Sequence, residues 1–137
     1  MTFEIVRLVV DFGLLVLIWM TQLIIYPSFL FFTSANLIRW HTHYTRLMAY
    51  IVGPLMLVQL GIAVFQAIKT LSFFSGIGLG LVILVWLHTF LTFIPLHDTI
   101  SRGNANEKIL RALVHKNWWR TILWSLVFVL SCIDILN

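Results

Sequence analysis

The sequence predicts an all-α integral membrane protein, a four-helix bundle that crosses the bilayer four times. Of its 137 residues, 61% are hydrophobic and only 10% are charged, and the mean hydropathy is +0.99. Because a soluble domain carries about 25% charged residues, this chain has too few to cover a surface in contact with water. Four spans of about 20 residues use nearly all of its length, so residues 1–137 are predicted to form a single transmembrane domain.

Each span is an apolar run bounded by polar or turn-forming residues. The first begins at Leu8 and continues to about Phe32, which is too long for the hydrophobic region of a signal peptide. Ser34 is a favourable N-cap residue and introduces a helical stretch before the second span. Gly103 marks the turn that precedes the fourth helix. The predicted spans are residues 8–32, 45–66, 76–96 and 118–136.

The lysines and arginines beside the spans predict the orientation. One side of the membrane has only Arg7 and Lys69, and the other has Arg39, Arg46, Arg102, Lys108, Arg111, Lys116 and Arg120. Cytoplasmic loops are enriched in these residues. Both basic segments are therefore predicted to be cytoplasmic, and both termini non-cytoplasmic. The predicted location is the bacterial cytoplasmic membrane, with the chain crossing the cell membrane several times.

Polar side chains concentrate in the predicted cytoplasmic half, whereas the outer half is expected to be almost entirely apolar. Polar groups in hydrocarbon are costly unless paired, so they generally face the bundle interior or a wet cavity. Helical spacing places Gln22 with Tyr26 on one face of the first helix, and Arg46 with Tyr50 on one face of the second. One face of the third helix carries Trp86, Phe90, Phe93 and His97. These residues predict a pocket that opens to the cytoplasm.

Five histidines in so apolar a chain are the strongest indication of chemistry. Imidazole is the commonest metal ligand in proteins and titrates near neutral pH. On a helix the rings of His41 and His43 point about 200° apart, so one of the two is expected at a shared site, and His41 is favoured. The predicted metal ligands are His41, His97 and His115. Solvation among lipid headgroups is the competing explanation, above all for His43 and His115.

His88 lies near the middle of the third span and has two explanations. It either hydrogen-bonds Thr89, Thr92 or another helix, or it is an axial ligand of haem. Because haem usually needs a second ligand at similar depth and none is evident, a transition metal is the favoured cofactor. The single Cys132 excludes a disulfide within the chain and a cysteine metal cluster.

Four short motifs carry a family resemblance. They are Gln22-x3-Tyr26-Pro27, Trp40-His41-x2-Tyr44-x-Arg46, Pro95-x-His97 and Asn117-Trp118-x-Arg120-Thr121. Together they resemble a group of small bacterial four-helix membrane proteins, and they are broadly similar to the anthrone-oxygenase-like membrane proteins. The resemblance implies a membrane oxygenase or related oxidoreductase that acts on a hydrophobic, aromatic substrate. It implies a site that includes Gln22, Tyr26, His41, Arg46, His97, Asn117 and Arg120.

The favoured hypothesis is a metal-dependent oxidoreductase that binds a small hydrophobic molecule. His41 and His97 are predicted to act as metal ligands or acid–base groups. Arg46 and Arg120 are predicted to hold an anionic or carbonyl group, since arginine offers a planar fork of donors. The other predicted ligand-binding residues are Gln22, Tyr26, Tyr50, Asn117 and Trp118.

Two further functions stay open. The first is a small-molecule transporter or channel, against which the apolar outer half argues. The second is a non-catalytic subunit or assembly factor of a membrane complex. The expected partners are the lipid bilayer and a small hydrophobic molecule, while the absence of a basic stripe argues against nucleic acid. Gly76 and Gly80 form a GxxxG pattern that favours close helix packing, either within the bundle or in a homo-oligomer.

Overall fold

Four long helical rods make up the computed structural model, which describes residues 2–136. The first rod, α1, is an α-helix at Thr2–Met20 that continues through three short turns. These are a π-helical turn at Thr21–Ile25, an α-helical turn at Tyr26–Ser28 and a 3-10 turn at Phe29–Phe31. The second rod, α2, is the α-helix Ser34–Lys69.

The third rod, α3, also changes helix type along its length. It consists of the α-helix Phe73–His88, a π-helical turn at Thr89–Phe93 and the α-helix Ile94–Ser101. The fourth rod, α4, is the α-helix Glu107–Leu136. All four rods are long and apolar enough to cross a membrane. The fold is therefore a helical bundle of a multi-pass membrane protein.

The helices extend beyond the spans that hydropathy marks. The second begins at Ser34 rather than near residue 45, and the fourth begins at Glu107 rather than near residue 118. Hydropathy locates the stretch that suits hydrocarbon, whereas a helix continues for as long as its backbone hydrogen bonds do. Thr33, not Ser34, occupies the N-cap position of α2. Gly103 adopts φ +79° between α3 and α4, which confirms the predicted turn.

Two of the three prolines follow directly after π-helical turns. Pro27 follows the turn at Thr21–Ile25, and Pro95 follows the turn at Thr89–Phe93. A proline has no N–H for the carbonyl four residues earlier, and its ring crowds that carbonyl. In membrane helices, a local π adjustment is one way to satisfy the backbone groups so released. Pro54 lies within the uninterrupted α2 helix.

The end of the bundle that carries His41 and His97 is called the histidine end, and the opposite end, near both chain termini, the Asp11 end. Sequence analysis expects few polar groups at the Asp11 end, and this expectation is wrong. Asp11 is only 1% exposed there. Gln59 Nε2 donates to Asp11 Oδ1 at 2.6 Å, and the Ser131 hydroxyl donates to Oδ2.

Arg7 extends this buried network towards the surface. Its Nε lies 3.6 Å from Asp11 Oδ2, and one Nη donates to Gln66 Oε1 at 2.7 Å and to Asp134 Oδ2 at 2.9 Å. The residues lie on three different helices, so each looks isolated in the sequence. Lipid removes the hydrophobic force between helices, and helix association then depends on close packing and polar contacts. The network is therefore a structural clamp at the Asp11 end.

The Gly76 and Gly80 pattern does not pack within the chain. A Cβ atom added at either glycine would meet no atom within 4 Å, and both positions are exposed. The closely packed glycine of this helix is Gly78, where a Cβ would lie 3.4 Å from an Nη of Arg7. The GxxxG face therefore does not pack inside the bundle. Packing in a homo-oligomer is the predicted role that stays open.

Candidate functional site

A cavity of about 570 Å³ lies between the helices and extends from the middle of the bundle towards the histidine end. Most of its wall is apolar or aromatic. Cavities of about 300–1,000 Å³ with apolar walls and a few polar groups are typical of small-molecule sites. The polar groups of this wall come from all four helices: Thr21, Tyr26, Tyr44, Thr45, Trp86, Thr89, His97, Asp98, Ser101, Arg120 and Trp124.

Two histidines form a continuous hydrogen-bonded row beside the cavity. His41 Nε2 lies 2.8 Å from His97 Nδ1. The outer nitrogens also have partners: His41 Nδ1 lies 2.9 Å from Ser101 Oγ, and His97 Nε2 lies 2.9 Å from Tyr26 Oη. Tyr26, His97 and Ser101 line the cavity, and Ser101 is the last residue of α3. The row therefore runs along the cavity wall and ends at the histidine end of the bundle.

This row suits the transfer of a proton. A neutral imidazole donates from one ring nitrogen and accepts at the other. The hydrogen bonds can therefore all run from Ser101 towards Tyr26, or all run in reverse from Tyr26 towards Ser101. When the hydrogen bonds switch from one direction to the other, each donor passes its proton to its acceptor. The net result is the transfer of one proton along the whole row. The arrangement can therefore act as a proton relay, carrying a proton between Ser101 and Tyr26 through two neutral imidazoles.

Arg120 projects from α4 to the wall of the same cavity. It is only 7% exposed, and its guanidinium carbon lies 4.3 Å from the centre of the Phe93 ring and 5.2 Å from that of Trp124. Among the described residues, no ion pair joins it to a carboxylate, and its Nε has no hydrogen-bond partner. A buried charge is costly unless it is paired, so the Arg120 guanidinium is suited to bind a negative or strongly polar group.

Two further buried groups at the cavity lack partners. They are the indole Nε1 of Trp86 and the hydroxyl of Thr89. The indole N–H and the guanidinium only donate hydrogen bonds, and a hydroxyl donates one. Each of the three unsatisfied groups can therefore donate a hydrogen bond, and the guanidinium and the indole can only donate. A ligand that satisfies them must offer acceptors, as a carboxylate or a carbonyl does.

Four of the predicted site residues meet here: Tyr26, His41, His97 and Arg120. The preference for His41 over His43 agrees with the structure, since His41 is fully buried in the relay and His43 is exposed. The predicted shared face of the third helix is consistent with the structure as well. Its four residues, Trp86, Phe90, Phe93 and His97, all line the cavity.

Arg46 and Tyr50 do not reach the cavity. Arg46 is exposed, and Tyr50 is 73% exposed. At 3.6 residues per turn, they lie about 140° and about 180° around α2 from His41. Their predicted alignment on one face is correct, but that face points away from the bundle. Spacing shows which residues share a face and does not show which face is buried.

Gln22 and Asn117 are buried, yet they bind each other rather than the cavity. Asn117 Nδ2 donates to Gln22 Oε1 at 2.9 Å, and the Thr121 hydroxyl donates to the same oxygen at 3.3 Å. Gln22 Nε2 donates in turn to the Val114 carbonyl at 3.1 Å. These contacts join α1 to α4. Their role is helix association, in place of the predicted ligand contact.

Trp118 and His115 belong to a separate groove of about 500 Å³, which Pro27 and Arg111 also line. Trp118 is partly exposed, and its ring lies edge-on to Trp19 at 5.8 Å. His115 is exposed. Neither residue lines the cavity beside the histidine row, so the structure separates both from the other predicted site residues.

The predicted metal set does not assemble. Within residues 2–136, no three His, Cys, Asp or Glu side chains are placed to hold one ion. His41 and His97 are adjacent, but His115 lies in the other groove, and all four nitrogens of the adjacent pair already have protein partners. A metal-bound imidazole nitrogen must offer its lone pair. The donor set therefore fits a proton relay and does not fit a metal centre.

His88 has a structural role. Its Nδ1 lies 3.2 Å from the Thr92 hydroxyl, and its Nε2 lies 3.2 Å from the carbonyl of Lys116 on α4. The prediction of a hydrogen bond to Thr92 or to another helix is confirmed on both points. With both nitrogens occupied, His88 does not present a free ligand for haem.

Thr89 and Ser101 were not predicted as site residues, and Trp86 was predicted only as part of the apolar pocket wall, not as a hydrogen-bond donor. Thr89 begins the π turn that precedes Pro95, and π-helical turns are frequent at functional sites. That backbone change has no clear mark in the sequence beyond the proline. Ser101 lies at a helix end whose position hydropathy does not define.

Comparison of the chain with protein-family models, curated protein sequences and solved structures gave no match. The resemblance to anthrone-oxygenase-like proteins therefore stays a prediction.

Proposed function

We propose that this membrane protein binds a small amphipathic molecule in the cavity and exchanges a proton with it. The apolar walls hold the body of the molecule, and Arg120 binds its carboxylate or carbonyl group. Tyr26, His97 and His41 move the proton between the ligand and the histidine end. The observation that carries the proposal is the buried Arg120 without an acidic partner among the described residues, beside a row of linked imidazoles.

In the proton step Tyr26 or His97 meets the ligand, since both line the cavity whereas His41 lies behind it. Removal of a proton from a bound molecule next to a carbonyl leaves negative charge on the carbonyl oxygen. A guanidinium aimed at that oxygen stabilises the charge without reorganisation. In this assignment Arg120 holds the developing anion, and the Tyr26–His97–His41 row takes the proton away.

An oxidoreductase activity is part of the proposal and rests on the motif resemblance. Proton removal from a phenolic substrate changes no oxidation state; it would precede the transfer of electrons to a separate acceptor, which the oxygenase resemblance implies is O2. The cavity supports the proton step and the hydrophobic substrate class. No step is assigned to a metal, because the nitrogens of His41 and His97 are already engaged.

The histidine end is proposed to face the cytoplasm. The support is the excess of arginine and lysine in the segments at this end, seven against the two beside the Asp11 end. The relay would then draw its proton from the cytoplasmic side.

The test uses purified protein in nanodiscs and two ten-carbon probes, decanoate and decanol. We expect saturable binding of decanoate, followed by tryptophan fluorescence, and binding of decanol that is weaker by about tenfold or more, because hydrogen bonds to charged groups contribute about 1.5–3 kcal/mol. Arg120→Gln should remove the preference, since it deletes the charge and keeps a polar side chain. Arg120→Lys should retain part of it.

Equal binding of decanoate and decanol by the unmodified protein would contradict the assignment of Arg120. Arg46→Gln is the matched control, because Arg46 is exposed on the opposite face of α2. Its decanoate affinity should equal that of the unmodified protein.

A transporter is the second candidate, and the network at the Asp11 end favours it. Trp124 Nε1 donates to Gln59 Oε1 at 3.1 Å, while the Trp124 ring lies against Arg120. Polar side chains therefore continue from Asp11 to the cavity, which removes the objection based on an apolar half. Flux of carbon-14 decanoate into proteoliposomes above the rate of protein-free vesicles would support transport, and equal rates would exclude it for this probe.

A further inference from the structure

We infer that the cavity receives its ligand sideways from the lipid bilayer, through a slot between α2 and α3. This inference rests on the proposed binding function and adds the class of ligand: a molecule dissolved in the membrane whose apolar tail lies in the slot. It also assigns the residues at the two edges of the slot, which face each other across the opening of the cavity.

Each edge of the slot is a row of cavity-lining residues at a spacing of four. On α2 the row is Thr45, Ala49 and Gly53, and on α3 it is Phe90, Ile94 and Asp98. Residues four apart lie on one face of a helix, so each row is a continuous edge. At 1.5 Å per residue, the α2 row is about 12 Å long.

The edge residues line the cavity and are also exposed. Phe90 is 52% exposed and Ile94 is 50% exposed, although both line the cavity. Ala49 is exposed as well. Cavity-lining residues with about half of their surface exposed lie at the mouth of the cavity.

The opening lies at the depth of the hydrocarbon. Gly53 and Phe90 are near the midpoints of helices that are long and apolar enough to cross the membrane. The surface around them is therefore covered by lipid tails rather than by water. A hydrophobic ligand can pass from lipid into the cavity at this depth without crossing a polar layer.

Small side chains on α2 keep the slot wide. A Cβ atom added at Gly53 would meet no atom within 4 Å, so the space in front of it is free. An amphipathic acid fits this geometry, with its tail between Gly53 and Phe90 and its acceptor group beside Arg120. The apolar middle of the slot, at Gly53 and Phe90, and the donors inside the cavity thus select for opposite ends of the same molecule.

The test uses a decanoate with a photoreactive diazirine at the end of its tail, added to protein in phosphatidylcholine vesicles. We expect crosslinks, removable by excess unlabelled decanoate, within residues 45–53 and 90–98. Gly53→Leu should lower this labelling by about tenfold, which corresponds to about 1.4 kcal/mol. Ala49→Leu should act in the same direction.

Gly61→Leu is the matched control. Gly61 lies two turns further along α2, also has free space in front of its Cβ position, and does not line the cavity. Its labelling should match that of the unmodified protein. The inferred slot would be overturned if the labelling that excess decanoate removes were unchanged in both Gly53→Leu and Ala49→Leu. Labelling unchanged in Arg120→Gln would instead overturn the proposed binding function, so the two failures are distinguishable.

Discussion

At the scale of single residues, the buried polar groups are of two kinds: those that have hydrogen-bond partners within the protein and those that do not. Asp11 has hydrogen bonds from Gln59 and Ser131 and lies beside Arg7. Arg120 is similarly buried, yet it has aromatic neighbours in place of an acid. Both side chains lie within the membrane, where an unpaired charge is costly. Asp11 is therefore structural, whereas Arg120, which lines the cavity without an acidic partner among the described residues, marks the site.

The structural role of Asp11 predicts a large loss of stability on its removal. Asp11→Ala leaves Arg7, Gln59 and Ser131 without their common acceptor, and breaking a buried pair costs about 3–5 kcal/mol. Asp134→Ala is the control, because Asp134 is an exposed partner of Arg7 and should cost about 1 kcal/mol or less. Unfolding in mixed detergent measures both. Equal losses would contradict a clamp centred on Asp11.

The histidine row predicts a difference between His41 and His43. His41→Ala leaves the Ser101 hydroxyl and a nitrogen of His97 without partners, which should cost about 1–3 kcal/mol. His43→Ala should be close to neutral, since His43 is exposed two residues away. Histidine side-chain nitrogen resonances of labelled protein report the same change. Loss of the hydrogen-bonded His97 Nδ1 signal is expected in His41→Ala only.

At the scale of the helical elements, the two π turns place the residues of the relay. The turn at Thr21–Ile25 is followed at once by Tyr26, and the turn at Thr89–Phe93 is followed closely by His97. Tyr26 and His97 meet across α1 and α3 at 2.9 Å. A π turn inserts extra rotation into a helix, so it sets the direction in which the following side chains point.

Pro95 and Pro54 are therefore predicted to differ in their effect on ligand binding. Pro95→Ala restores an N–H and allows the α-helical register, which should turn His97 away from Tyr26 and His41. We expect decanoate binding weaker by about tenfold, together with loss of the hydrogen-bonded histidine signals. Pro54→Ala should leave both unchanged, because Pro54 lies in an uninterrupted α-helix and is exposed. Identical behaviour of the two variants would contradict this role of the π turn.

The helices could be predicted from the sequence far better than their rotation about their own axes. Long apolar runs identify four spans because hydrocarbon tolerates little else. Rotation depends on which neighbour each face meets, and an all-apolar helix has two equally plausible sides. Tyr50 illustrates this, since its stripe with Arg46 faces outward, whereas His41 on the same helix faces inward. Arg120 was predicted at the site from the motif resemblance and from the donors of its guanidinium, not from a polar face of its helix.

At the scale of the whole molecule, each end of the bundle has its own polar network. The Asp11 end is closed by hydrogen bonds and an ion pair, and the histidine end carries the relay and the cavity. Convergence of residues from three or four helices creates both networks. Sequence analysis detected the second because histidines are rare in apolar chains. It missed the first because isolated Asp, Gln and Ser residues give no such signal.

The charge distribution predicts the orientation of the whole molecule. The seven basic residues at the histidine end should retain that end in the cytoplasm. Alkaline phosphatase fused to the C-terminus folds only outside the cytoplasm, so this fusion should be active. Green fluorescent protein fused to the same terminus should give no fluorescence, because it too would lie outside the cytoplasm. The reverse pattern would place the relay on the opposite side and contradict the proposed source of its proton.

The most direct measurement is the identity of the small molecule that accompanies the protein from its native membrane. The protein is extracted into nanodiscs without detergent exchange, and its bound molecules are identified by mass spectrometry beside those of Arg120→Gln. The predicted result is a lipid-soluble acid or carbonyl compound at about one equivalent, present with the unmodified protein and lost in the variant. A bound molecule without such a group, or equal amounts in both samples, would contradict the central role of the Arg120 cavity.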